Sequence, residues 1–204
     1  MSNIEDQIST GVTIDELVND HHQRLMLEFV AGREGGWRHI QSSETHRPSL
    51  ALTGFVDLYA FDRAQLLGNT ELLYLSNLDK DERRQSLEII YQFDLPCIII
   101  TNNYDIPEEI TELSDAKQTP LLRTPLSSAQ FIHQFVSCIE EHNAPTTAVH
   151  GTMVDVYGVG LLITGRSGIG KSEVALDLIE RGHRLVGDDV VQVKRRRDII
   201  VGQA

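Results

Sequence analysis

Apolar residues recur at helical spacing in two clear places along this chain and gather into short solid runs in several others. Lys80–Tyr91 carries Leu87, Ile89 and Ile90 among charges, the pattern of an amphipathic helix. Ser127 or Ser128 can cap a second helix, along which Phe131, Ile132, Phe135, Val136 and Ile139 keep to one side. Between them Pro96–Thr101 reads as a buried strand, Pro107–Ala116 as a helix, and Leu121-Leu122 as the start of another strand. Earlier in the chain Thr13 is placed to cap a helix through Leu17 and Val18. Gly32–Pro48 reads as strand and loop around Trp37 and Ile40, while Leu52–Tyr59 and Glu71–Leu75 show no dominant period. Helices alternating with apolar strands predict a small α/β domain built from crossover units. Nothing in this part pairs a nucleophile with a base or groups metal-binding side chains.

The pattern changes after residue 142. Asn143–Thr147, reading Asn-Ala-Pro-Thr-Thr, ends the second helix and marks a boundary between domains. Thr152–Tyr157 is extended by pattern, Gly158-Val159 suits a two-residue hairpin turn, and Gly160–Thr164 returns as a strand. That register pairs Tyr157 with Gly160 and sets His150 opposite Ser167. Glu173–Arg181 then reads as a helix with Val174, Ala175, Leu178 and Ile179 turned inward and Glu173, Asp177 and Glu180 outward. Gly182 stops it, and Arg184–Val186 can return as a strand neighbouring Leu161–Thr164.

The link between that hairpin and its helix carries the chemistry. Gly165, Arg166, Ser167, Gly168, Ile169, Gly170, Lys171 and Ser172 form a complete phosphate-binding loop between an apolar strand and a helix. Its glycines let successive backbone N–H groups converge on one centre, and the helix adds its positive end. Lys171 supplies a mobile charge for the β and γ phosphates, and Ser172 a hydroxyl for magnesium. A nucleoside triphosphate is the ligand this loop predicts. Asn-Lys-x-Asp, the usual guanine reader, is missing after the loop; Thr101–Asp105 precedes it and lacks the lysine, which rejects guanine specificity.

If the strand at Arg184–Val186 is parallel to the one entering the loop, Asp188 and Asp189 emerge beside the phosphates. Two carboxylates there can orient magnesium and accept a proton from an attacking hydroxyl, where elsewhere such a pair often only forms a turn. His150 can assist proton transfer or contact phosphate, or simply close its strand. Asp155, in mid-strand, reads as an exposed strand residue, and His133 and His142 as solvent-facing or capping groups.

Composition narrows the partners. A net charge of −12 over 204 residues opposes general nucleic-acid binding, which needs a basic surface. The basic run Lys194–Arg197 reads as a solvated turn between strands. No apolar stretch is long enough to span a bilayer, and the opening Met-Ser-Asn-Ile-Glu-Asp is not a signal peptide, so a soluble cytoplasmic protein is expected. Cys97 and Cys138, the only cysteines, lie in apolar surroundings and read as buried free thiols without a zinc site.

Taken together, His150-Gly151, the loop, Ser172-Glu173, Arg181-Gly182-His183 and Asp188-Asp189 resemble, in order and spacing, the bacterial HPr kinase/phosphorylase family. Gly54-Phe55, Leu67–Glu71 and Leu95–Thr101 resemble that family's first domain, and Arg166 stands where many members carry an acid. The resemblance implies a small N-terminal α/β regulatory domain over residues 1–130. A P-loop kinase domain similar to that of phosphoenolpyruvate carboxykinase then starts over 131–204. It implies phosphorylation of a serine of the phosphocarrier HPr with magnesium and either ATP or pyrophosphate. It implies also the reverse reaction, in which inorganic phosphate attacks phosphoserine-HPr and releases pyrophosphate. Asp189 is the implied proton acceptor forward and donor in reverse, supported by Asp188; Lys171 stabilises the transferred group, Ser172 binds the metal, and His150 assists. Control of carbon catabolite repression and sugar uptake, a homohexamer, and response to fructose 1,6-bisphosphate and inorganic phosphate follow from the same resemblance. Only 33 residues follow Lys171, so a C-terminally truncated kinase domain is expected. A non-catalytic nucleotide-binding sensor or interaction protein derived from the family is the other reading.

Overall fold

The structure, a computed structural model, describes residues 11–196 and 199–204; the opening six residues and Arg197, both used above, lie outside them. The chain parts at Asn143/Ala144 into two compact units.

In the first unit the elements run β1 (Val12–Thr13), α1 (Ile14–Asp20), α2 (His22–Leu25), β2 (Glu28–Ala31), β3 (His39–Ile40), β4 (Thr45–His46), β5 (Ala64–Leu67), α3 (Asn69–Ser76), α4 (Lys80–Ile90), β6 (Ile98–Ile100), α5 (Glu108–Lys117), β7 (Leu121–Arg123) and α6 (Ser128–His142). A five-stranded sheet of order β2-β7-β6-β5-β4 is parallel apart from β2 at one edge. Its strands read as solid apolar runs because both faces are covered. Leu66, Ile99 and Leu122 pack with Leu17, Phe131 and Phe135 on one face. Leu67, Ile98, Ile100 and Leu121 pack with Leu75, Leu87 and Ile110 on the other. The unit is therefore a three-layer α/β/α sandwich, an α/β domain as the alternating pattern predicts.

Capping sets the helix starts. Thr13, Asp79 and Ser127 each accept from the third-position backbone N–H while Glu16, Glu82 and Gln130 bond back, closing three capping boxes. Ser127 rather than Ser128 is thus the cap of α6. Phe131, Phe135, Cys138 and Ile139 on that helix all belong to the first unit's core, so a division at 130/131 passes through it, whereas the units part at the turn that follows. Both cysteines are buried and unpaired, and desolvation pushes the Cys97 thiol up to about 12.

The second unit holds β8 (Thr146–His150), β9 (Thr152–Val156), β10 (Val159–Ile163), α7 (Lys171–Glu180), β11 (Arg184–Gly187), β12 (Val190–Arg196) and β13 (Ile199–Gln203). They form two three-stranded sheets, β10-β9-β11 and β13-β12-β8. Strands β10 and β11 both run antiparallel to β9, so they are parallel to each other, but they are not neighbours as the sequence suggests, because β9 pairs with both and lies between them. Helix α7 crosses from one to the other, as expected for a strand–helix–strand unit.

The second unit departs from the sequence pattern in three further places. The hairpin register pairs Val156 with Val159, which makes Tyr157-Gly158 the turn, with φ of 53° and 84°. Positive φ at both central residues gives the twist that matches the flanking strands. Lys194–Arg196 lie within β12, not in a turn, paired with β13 on one side, while Lys194 also meets Thr146 of β8 on the other. On α7 only Ala175 is fully buried; Leu178 and Ile179 are half-buried and Val174 is 52% exposed. Amphipathic spacing identified the inward side but not how much protein lies against it.

Candidate active site

The phosphate loop leaves the end of β10 and enters α7 at Lys171. Gly168 and Gly170 adopt φ of 78° and 98°, values that favour glycine, and Gly170 occupies the helix N-cap with no capping side chain. The first-turn N–H groups of α7 are therefore not consumed by a side-chain cap. Lys171 Nζ lies 3.1 Å from each of the Gly165 and Arg166 carbonyl oxygens, which holds the ammonium over the loop it follows.

The two acids sit on the link between β11 and β12, where the chain passes from one sheet to the other. Val190 N–H returns to the Asp188 carbonyl at 2.9 Å, closing a three-residue turn around Asp189 at φ 67°. A non-glycine residue in that conformation costs about 1–3 kcal/mol and persists only where its surroundings hold it. Those surroundings are the link between β8 and β9, which makes the same passage between sheets. His150 ends β8, paired with Val190, and its Nδ1 lies 3.2 Å from the Asp189 carbonyl oxygen. Gly151 N–H donates to that same carbonyl at 3.1 Å, and the Thr152 hydroxyl donates to Asp188 Oδ1 at 2.6 Å. Because a carbonyl oxygen only accepts, Nδ1 carries the proton in this contact and Nε2 is left as the second ring position.

These links and the loop enclose one cavity of about 470 Å³. Gly165, Ser167, Gly168, Gly170, Lys171 and Ser172 line it from the loop, and His150, Asp188 and Asp189 from the two links. Arg166 and Ile169 are not among its lining residues, and Ile169 is 69% exposed. His150 reaches the cavity through β8 and β12, not through the β9–β10 hairpin that the sequence register invoked. Gly151 and Glu173, marked in the sequence only as part of the family resemblance, also line the cavity, as does Thr152, which carried no sequence signal of its own.

Among the described residues no three His, Cys, Asp or Glu side chains converge on a metal position. Ser172, Glu173 and the two aspartates offer hard oxygen donors, which suit magnesium completed by phosphate oxygens and water rather than an all-protein cage. No helix among the described residues is long and apolar enough to cross a membrane.

The family model for the HPr serine kinase N terminus matches residues 12–139, and that for the HPr serine kinase C-terminal domain matches residues 141–204. The chain belongs to the HPr serine kinase family. An HPr kinase/phosphorylase of Bacillus cereus strain 03BB102 is 43% identical over 89% of the chain, and one of Bacillus anthracis strain A0248 matches equally. In B. cereus strain AH820 the corresponding protein is 42% identical over 95% of the chain. The chain spans about three fifths of these relatives, 59% of the first two and 62% of the third. The solved HPr(Ser) kinase/phosphatase of Coxiella burnetii is 41% identical over 28% of this chain and 35% of its own, with a TM-score of 0.27.

Proposed function

We propose that the second unit carries the phosphoryl-transfer site of an HPr kinase/phosphorylase. The observation that carries this reading is that Lys171, Ser172, Asp188 and Asp189 line one and the same cavity. In the forward direction the HPr serine hydroxyl gives its proton to Asp189 as its oxygen bonds to the terminal phosphorus of ATP or pyrophosphate, and the bond from that phosphorus to its bridging oxygen breaks, releasing ADP or inorganic phosphate. In reverse, inorganic phosphate attacks phosphoserine, pyrophosphate forms, and Asp189 returns the proton to the departing serine oxygen. Lys171 offsets negative charge on the transferred group, and Asp188 supports Asp189 or the metal. Ser172 would hold magnesium, which would supply neutralisation of the donor's phosphate charge.

Family membership supports the wider reading. The first unit is regulatory, and the protein acts in the cytoplasm on HPr as a homohexamer. It responds to fructose 1,6-bisphosphate and inorganic phosphate, and it links carbon catabolite repression to sugar uptake.

The test is phosphotransfer from ATP and magnesium to purified HPr, read by intact mass. One added phosphate on a serine, lost in Asp189→Asn with nucleotide binding retained, supports the reading. Nucleotide binding without transfer, in this chain and in a form extended to the relatives' length, overturns it in favour of the sensor.

A further inference from the structure

We propose that His150 is a positioning residue: it acts on the reaction through its Nδ1–H bond to the Asp189 carbonyl, not by moving a proton to or from the substrate. The inference rests on the phosphoryl-transfer reading and concerns how its proton acceptor is held.

Asp189 is the central residue of a turn closed across Asp188 and Val190, with a backbone angle that residues bearing a Cβ rarely adopt. Pairing in the sheets ends on either side of it, at Gly187 in β11 and at Val190 in β12. Within the described contacts its carbonyl is held by two donors, Gly151 N–H at 3.1 Å and His150 Nδ1 at 3.2 Å. The Gly151 donor is itself fixed by close packing, since a Cβ there would stand 2.6 Å from the Ile163 carbonyl oxygen, on the strand entering the loop. One backbone corner thus meets both the phosphate loop's entry and the acid turn.

His150 completes that corner. The peptide whose carbonyl it binds joins Asp189 to Val190, so the bond restrains the ψ angle that aims the Asp189 carboxylate. A ring already committed through Nδ1 to backbone fulfils this with no proton passed to or from the substrate. The same task needs only a donor at the δ position, which an asparagine amide nitrogen can supply and a glutamine amide, reaching to the ε position, does not.

The test compares His150→Asn, His150→Gln and His150→Ala in the phosphotransfer assay, with circular dichroism as a check on folding. Positioning predicts that Gln and Ala lower kcat by about 10–100-fold with little change in KM for ATP, because the loop's own donors are untouched. It predicts that Asn restores most of that loss and preserves the shape of the pH–rate profile. Equal losses in Asn, Gln and Ala, with one limb of the profile gone, overturn the inference and make the imidazole a proton carrier. A rise in KM for ATP with kcat retained in all three overturns it in favour of phosphate contact. If wild-type protein binds ATP but transfers nothing, the phosphoryl-transfer reading fails instead.

Discussion

Thr152 donates its hydroxyl to Asp188 Oδ1 at 2.6 Å, and Thr152 is only 2% exposed while the aspartate faces the cavity. A buried hydroxyl needs a partner, and here the partner is one of the two site acids. Thr152→Val keeps the shape and removes the bond. Asp188 remains solvated, so the loss is that of one hydrogen bond to a charged group, about 1.5 kcal/mol, the low end for such bonds. The expected outcome is a few-fold fall in kcat with unchanged ATP affinity, measured by steady-state transfer and by nucleotide titration.

Much of the first unit was legible because its helices carry both a period and a cap. Thr13, Asp79 and Ser127 close their boxes with Glu16, Glu82 and Gln130, and the strand at Ile98–Ile100 is an apolar run because both faces are covered. Two-residue strands such as Val12–Thr13 and Thr45–His46 have no period to read. In the second unit Gly158 fits either central position of a hairpin turn. The chain uses the second, which puts Tyr157 at positive φ, a placement no propensity favours. His150 was directed to the loop through that mistaken register and arrives beside Asp189 by pairing with Val190 instead. Thr152 was invisible because its partner lies across a passage between sheets, a relation that local pattern does not encode.

Stability should fall as pH drops below neutrality, by way of two histidines in the first unit. Burial lowers the proton affinity of His21 and His46 from the ordinary 6.5, aided by the Arg24 and Arg63 charges respectively. The unfolded chain then binds more protons than the folded one once pH falls to about 6.5, so unfolding free energy decreases with pH from there down to the folded values. Thermal melts between about pH 7.5 and about pH 5.5 should show a declining midpoint. The decline should be shallower in a His21→Gln/His46→Gln variant; equal slopes would reject these two groups as its source.

Glu71 anchors the start of α3 from inside the core. It is 1% exposed, accepts from Gly68 N–H at 2.8 Å and the Ser49 hydroxyl at 2.5 Å, and faces Arg47 at 3.3 Å. Glu71→Ala leaves two donors without an acceptor and opens space beside them. The expected loss is about 2–4 kcal/mol, since Arg47 is partly exposed and water can serve it. Urea denaturation of the variant checks this, and Glu71→Gln should recover part of the loss by still accepting from Gly68.

The hairpin turn offers the opposite outcome. Tyr157 sits at φ 53° before Gly158 at φ 84°, is 91% exposed, and makes only an edge contact with the His183 ring at 4.8 Å. Both angles belong to the turn whose preferred sequence is Asn-Gly. A tyrosine at such an angle costs about 1–2 kcal/mol that an asparagine largely avoids, while an exposed ring contact returns less than that. Tyr157→Asn should therefore raise the second unit's melting midpoint by a few degrees, about 0.5–1 kcal/mol. The turn joins β9 and β10 at the end away from the phosphate loop, so ATP binding should not change. An unchanged or lower midpoint would show that the His183 contact outweighs the backbone strain.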